Sequence, residues 1–152
     1  MKYTRFFRRE YNEYIRDFSA FGNFFILIGL LALVLKESEF LTAIIGLIIT
    51  SMAGNAIKFL FHRKRPKHIH YTNSLEKIQS GSFPSIHSAN IMFAGLVIIK
   101  NFNNLLVDVF FTLAILIVGY SRYHLRKHYL RDVVGGYVIG LIVFLSFYYG
   151  FI

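Results

Sequence analysis

The sequence predicts an all-α fold, an integral membrane bundle of about five transmembrane helices preceded by an interfacial amphipathic helix. Hydrophobic residues make up 55% of the chain, which is typical of a membrane protein. Several apolar stretches approach the ~20 residues that a spanning helix needs. The formal net charge is nevertheless +9, so the charge must lie mainly in the loops. The length of 152 residues predicts a single domain over 1–152.

Five apolar stretches are the candidate spans, at residues 18–35, 40–61, 85–99, 105–120 and 133–152. The third and fourth are short, so we expect them to be tilted or extended by neighbouring polar turns. Gly136 and Gly140 form a small-xxx-small pair on the fifth stretch, which predicts close helix packing.

The N-terminal residues 5–18 follow a different pattern. Aromatic and apolar side chains recur there at helical spacing, at Phe7, Tyr11, Tyr14, Ile15 and Phe18. Charged residues fill much of the remaining surface, which favours an amphipathic helix in the membrane interface. A helix docked on the rest of the protein is the alternative.

Two connecting segments, 62–83 and 122–131, are rich in basic residues. With five spans, both segments and the N-terminus emerge on the same side of the membrane. The chain therefore has one plain side and one side that carries the reactive groups.

Two clusters on that side suit a phosphate group. Lys58 lies near the end of an apolar helix, where a charge is usually functional, and Arg65 offers a planar fork for phosphate oxygens. Pro84 and Ser85 suit the start of the third helix, where free N–H groups attract anions and His87 adds a proton donor. Snorkelling side chains and an ordinary helix start are the structural alternatives.

A third cluster contains Arg122, His128 and Asp132. The last two are four residues apart and share a face if the segment is helical. A carboxylate bonded to one imidazole nitrogen fixes the tautomer and leaves the other nitrogen free to attack. An interfacial charge pair is the alternative.

Taken in order, these clusters resemble the three-part signature of the type 2 phosphatidic acid phosphatase family. The matching pieces are Lys58-x6-Arg65-Pro66, Pro84-Ser85-x-His87 and Ser121-Arg122-x5-His128-x3-Asp132. The family usually has glycine where this chain has Ile86, so either the turn is already helical there or a backbone contact differs.

The resemblance implies a phosphatase that uses neither metal nor cofactor. His128 would attack phosphorus, Asp132 would orient it, and His87 would protonate the leaving group. The residues that would hold the phosphoryl oxygens are Lys58, Arg65, Ser85 and Arg122. A bacterial lipid phosphate is the implied substrate: lipid A 1-phosphate or undecaprenyl diphosphate are favoured, and phosphatidylglycerophosphate or phosphatidic acid are the alternatives.

Further cations flank these motifs and suggest headgroup recognition, at Arg63, Lys64, Lys67, Arg126, Lys127 and Arg131. Attraction to anionic lipid surfaces is the alternative. His62, His68 and His70 have no carboxylate or cysteine beside them, so we expect no metal site there. Charge held at a membrane surface argues against nucleic-acid binding. The sequence does not indicate an oligomeric state.

Two arguments disagree about which side of the membrane the site faces. Counting positive charges places the basic side in the cytoplasm, whereas the resemblance places the site on the extracytoplasmic face of the cell (inner) membrane, which we expect. A non-catalytic membrane scaffold or lipid-binding protein is the rival function. The related vanadium haloperoxidase chemistry fits less well, because those proteins are larger and soluble.

Overall fold

The computed structural model describes residues 11, 14–15, 17–61, 63–66 and 81–150. Within these ranges the regular elements are helices, which confirms the predicted all-α class. Five are numbered here in chain order: α1 Phe24–Val34, α2 Glu37–Leu60, α3 Ile86–Phe102, α4 Leu105–His124 and α5 Leu130–Tyr149.

Three of the described helices, α2, α4 and α5, are long and apolar enough to cross a membrane. They contain 24, 20 and 20 residues. At 1.5 Å per residue, a helix of this length extends about 30 Å, the thickness of the hydrocarbon core. The remaining apolar helices are shorter, with 11 residues in α1 and 17 in α3.

Helix α3 lies at the centre of the bundle and contacts each of the other four helices. Much of its surface is buried, including Phe93, Ala94 and Val97, which are 0% exposed. Its neighbours come close because they carry glycine at the contact. A Cβ atom at Gly136 or Gly140 of α5 would collide with a backbone carbonyl oxygen of the α3 segment, which confirms the predicted close packing of that pair.

The first predicted span, 18–35, is interrupted. Residues 17–20 are helical, a turn follows at Phe21 and Gly22, and α1 begins only at Phe24. Asn23 caps this helix, its side-chain oxygen accepting a hydrogen bond from Phe25 N at 3.0 Å. Gly22 is buried against His87, where a Cβ atom would lie 2.7 Å from the Cβ of the histidine. The turn at Phe21 and Gly22 was not predicted, because the surrounding stretch is apolar enough to resemble one continuous span.

The described part of the N-terminal segment has two kinds of surface. Ile15 is buried, and the ring of Tyr11 meets that of His124 edge-on with centroids 5.3 Å apart. Tyr14 and Phe18 are exposed. One face of this segment therefore docks on the protein while another faces outward. Phe7 and the other residues of 5–10 lie outside the described residues.

Candidate active site

The residues of the three sequence clusters come together at one end of the bundle. Lys58 lies near the end of α2, His87 in the first turn of α3, Arg122 near the end of α4 and Asp132 in the first turn of α5. Arg65 lies in the segment that follows α2. The antiparallel order of the helices thus brings residues that are more than seventy positions apart, at the extremes, into one site.

The start of α3 is held firmly by capping and by α5. Ser85 is the N-cap, fully buried, and its hydroxyl oxygen accepts hydrogen bonds from the Ser88 backbone N–H at 3.4 Å and hydroxyl at 2.9 Å. Its own backbone N–H donates to the carbonyl oxygen of Asp132 at 2.8 Å. This bond ties the beginning of α3 to the beginning of α5.

Ile86, the departure from the family pattern, is the first residue of α3. Among the described non-glycine residues only Asn103 and Arg126 have a positive φ, so the backbone at Ile86 needs no glycine. Its side chain packs on Gly54, where a Cβ atom would lie 3.2 Å away. Of the two possibilities that the sequence left open, the turn is already helical.

His128 is 2% exposed and is oriented by a backbone carbonyl. Its Nδ1 lies 2.6 Å from the carbonyl oxygen of Ser82. A carbonyl oxygen only accepts hydrogen bonds, so Nδ1 carries the proton and donates it. The other nitrogen, Nε2, is then left with a free electron pair, as a nucleophile requires.

The charge state of His128 suits the same role. Burial, together with the nearby cations Arg122 and Lys58, holds the pKa of His128 well below its usual range, although the bond to Ser82 opposes this. The imidazole is therefore neutral at physiological pH, and its electron pair is available.

Asp132 is fully buried beside this histidine but binds other groups. One carboxylate oxygen accepts a hydrogen bond from Tyr129 N at 2.8 Å, which caps α5. The other pairs with Nη1 of Arg63 at 3.4 Å. The distance from Asp132 Oδ2 to His128 Nδ1 is 4.0 Å, so the carboxylate acts on the ring through its charge.

Two of the predicted phosphate-binding cations are buried. Lys58 is 4% exposed and Arg122 is 6% exposed, and Arg65 is partly buried. Nε of Arg122 is enclosed and has no hydrogen-bond partner among the described residues. Buried cations need a compensating anion or acceptor, which phosphoryl oxygens supply.

The flanking cations are distributed unevenly. Arg63 is occupied by Asp132 and also lies over the Tyr129 ring, its guanidinium carbon 4.5 Å from the ring centroid. Lys64 and Arg126 are exposed, and Lys127 is partly exposed. Arg131 is exposed and also lies over the Tyr129 ring, its guanidinium carbon 5.6 Å from the ring centroid. The remaining candidates, Lys67, His62, His68 and His70, lie outside the described residues. Within the described ranges, no group of three His, Asp or Glu side chains could hold a metal ion.

Two contacts of this site were not predicted from the sequence, the Ser82 carbonyl on His128 and the Arg63 ion pair with Asp132. The first involves a backbone atom, so no residue type marks it. The second joins residues 69 positions apart. Arg63 is one of several consecutive or nearly consecutive cations, and the sequence does not indicate which of them faces inward.

Comparison with known families agrees with this geometry. The model of the PAP2 superfamily matches residues 39–151, which include nearly all of α2, the whole of α3 to α5 and all of the predicted site residues. Neither a curated protein nor a solved structure matches the chain significantly. Members of the superfamily are phosphatases that act on phosphate esters and lipid phosphates. By a match that covers most of its length, this chain belongs to the PAP2 superfamily.

Proposed function

We propose that this protein is a metal-independent lipid phosphate phosphatase that works through a phosphohistidine intermediate. The observation that carries the proposal is the state of His128. Its Nδ1 donates to the Ser82 carbonyl, and its Nε2 electron pair lies in a buried site on which the charges of Arg122 and Lys58 act. A neutral nucleophile beside buried cations suits attack on an anionic phosphoryl group.

In the proposed first step, Nε2 of His128 attacks phosphorus while the bond to the leaving oxygen breaks. The negative charge of the phosphate bound among Lys58, Arg65 and Arg122 favours the protonated form of His87, which gives its proton to that oxygen. The phosphoryl group remains on Nε2. In the second step, water attacks phosphorus, His87 takes a proton from the water, and the N–P bond breaks to release phosphate. Lys58, Arg65 and Arg122 balance the negative charge that spreads over the phosphoryl oxygens in both steps.

A phosphate carried by a lipid suits the position of the site. The catalytic side chains lie at the ends of apolar helices, so the phosphate meets them at the membrane surface while the acyl or isoprenoid chain stays in the bilayer. On the family resemblance, lipid A 1-phosphate and undecaprenyl diphosphate are the first candidates, and phosphatidylglycerophosphate and phosphatidic acid are the alternatives; the groove beside His87 separates these candidates further. We further propose that the site faces away from the cytoplasm, in the cell (inner) membrane.

The decisive experiment is phosphate release from these lipids in detergent micelles with EDTA, comparing the unaltered protein with the His128→Ala variant. Release that persists in EDTA and disappears in the variant supports the proposal. Phosphate release by the His128→Ala variant would show that His128 is not the nucleophile. If no lipid is hydrolysed, the result favours a non-catalytic scaffold or lipid-binding protein over a phosphatase.

A further inference from the structure

An open groove of about 460 Å³ adjoins the catalytic end of the bundle. It lies between the start of α1, the second half of α2 and the start of α3. His87, the proposed proton donor, is part of its wall. The groove therefore begins where the leaving group of the substrate separates from phosphorus.

Neutral hydrogen-bonding side chains line this groove, namely Asn23, Ser51, Asn55 and Asn90. Ser51 donates to Asn90 Oδ1 at 3.0 Å, and Asn55 Nδ2 donates to the Ser51 carbonyl at 2.9 Å. These two bonds fix the orientation of the amides without using all of their donors and acceptors. Three of the four residues lie on apolar helices, where polar side chains are costly and usually serve a function.

The charge of the groove differs from that of the phosphate site. Of the described residues in its wall, His87 is the only one with an ionisable side chain. Lys58 and Arg122 act on His87 through their charge but are not part of the wall. Among the described residues of the wall, a second phosphate in the groove would find no lysine or arginine partner, which such a group requires when it leaves water.

The direction of the reaction determines what enters the groove. In an in-line displacement the nucleophile and the leaving oxygen lie on opposite sides of phosphorus. In the proposed mechanism His128 attacks from one side, and His87, which protonates the leaving oxygen, acts on the other. The part of the substrate beyond that oxygen thus extends past His87.

On these grounds, and resting on the proposed phosphatase function, we propose that the groove binds the leaving group of the substrate and selects an uncharged one that carries hydroxyl, amide or ester groups. The preferred substrate is a phosphate monoester of a sugar-based or glycerol-based lipid, and a lipid diphosphate is disfavoured. Phe24 and Ile86 in the groove wall supply apolar surface for the hydrocarbon part of such a lipid. The polar side chains of the groove would thus bind the polar part of the leaving group, and its apolar side chains would contact the hydrocarbon part.

Asn55 offers a sharp test because the chain contains a matched control. Asn55 and Asn101 are both exposed residues of apolar helices, and each donates through Nδ2 to the carbonyl four residues earlier at 2.9 Å. Asn101 lies near the far end of α3, away from the groove. Asn55→Leu and Asn101→Leu therefore remove the same local bond, but only the first alters the groove.

The experiment measures kcat/KM of both variants and the unaltered protein on lipid A that carries only the 1-phosphate, on phosphatidic acid and on undecaprenyl diphosphate. The first two release an uncharged lipid, and the third releases undecaprenyl phosphate. We expect the diphosphate to be the poorest substrate of the unaltered protein. Asn55→Leu should lower kcat/KM for the two monoesters by about 5- to 10-fold, the worth of one neutral hydrogen bond, and leave the diphosphate unchanged. Asn101→Leu should change none of the three values.

Two results would overturn the groove assignment while the phosphatase function stands: turnover of the diphosphate as the best substrate, or an equal effect of Asn55→Leu on all three lipids. Equal losses in both asparagine variants would also overturn it, because the effect would then be structural. If no lipid releases phosphate in a His128-dependent way, the phosphatase proposal itself fails and the groove assignment fails with it.

Discussion

The tautomer of His128 is determined by a backbone carbonyl, that of Ser82, and not by a side chain. The Ser82 carbonyl oxygen lies 2.6 Å from Nδ1, whereas the nearest Asp132 oxygen lies 4.0 Å away. The tautomer is therefore fixed by the main chain. The negative charge of Asp132 stabilises the positive charge that develops on the imidazole ring when Nε2 forms a bond to phosphorus.

This division of roles predicts a graded effect of Asp132→Asn. The amide still accepts the Tyr129 N–H that caps α5, so we expect the fold to persist. The charge is lost while the tautomer is kept, so kcat should fall by about 10- to 100-fold, the effect of losing ~1.4–2.7 kcal/mol of charge stabilisation. Steady-state phosphate release and the thermal unfolding temperature in detergent check both parts.

The outcome separates two arrangements of the site. Near-normal turnover in Asp132→Asn would contradict the role of the carboxylate. A loss as complete as that of His128→Ala would show that the carboxylate, and not the Ser82 carbonyl, determines the tautomer. His128→Ala is the control, because it removes the nucleophile itself.

At the scale of elements, the geometry of the proposed site depends on how closely α5 approaches α3. Gly136 meets the carbonyl oxygen of Ser85, and Gly140 meets that of Ala89. The hydrogen bond from Ser85 N to the Asp132 carbonyl lies at the same contact. The two helices place His87 and Asp132, so their spacing sets the spacing of the reactive groups.

We therefore expect Gly136→Ala to reduce both stability and activity. The added methyl group has only backbone and the Ser88 Cβ, 3.0 Å away, to displace, so α3 and α5 must separate. Overpacking of this kind costs about 1–3 kcal/mol of the free energy of unfolding. A displacement near 1 Å at the catalytic groups lowers kcat by up to about 100-fold.

Gly29→Ala is the matched control for this change. Gly29 lies in α1, and no atom lies within 4 Å of the position of its Cβ. The same substitution there should leave activity unchanged and stability equal or slightly higher, because alanine favours helix more than glycine does. Equal unfolding temperatures and turnover for Gly136→Ala and Gly29→Ala would contradict the packing role of Gly136.

The same scale shows which elements the sequence predicts. Helices α2, α4 and α5 follow from long apolar runs, because the bilayer requires such runs. The start of α1 at Phe24 does not follow, because Gly22 is placed by its contact with His87, 65 positions away in the chain, which composition does not reveal. The site motifs predict which residues come together at one end of the bundle, whereas the groove beside His87 depends on how three helices meet.

At the scale of the whole molecule, charge is distributed unequally between the two ends of the bundle. The end that carries the site includes Lys58, Arg65 and Arg122, and the end where α1 meets α2 has the mixed-charge sequence from Lys36 to Glu39. Phosphate binding requires cations on whichever side it occurs. The positive-inside rule therefore cannot be applied to this end as it is to ordinary loops.

The proposed extracytoplasmic orientation predicts how the two ends react with a membrane-impermeant thiol reagent. The chain has no cysteine, so each introduced thiol is the only one present. Lys64 is exposed at the site end and Lys36 is exposed at the opposite end. In intact cells Lys64→Cys should react with an impermeant maleimide, and Lys36→Cys should react only after lysis, because the bilayer excludes the charged reagent from the cytoplasm. The reverse pattern would place the site in the cytoplasm and restore the positive-inside count, and the substrate would then be a lipid phosphate of the inner leaflet.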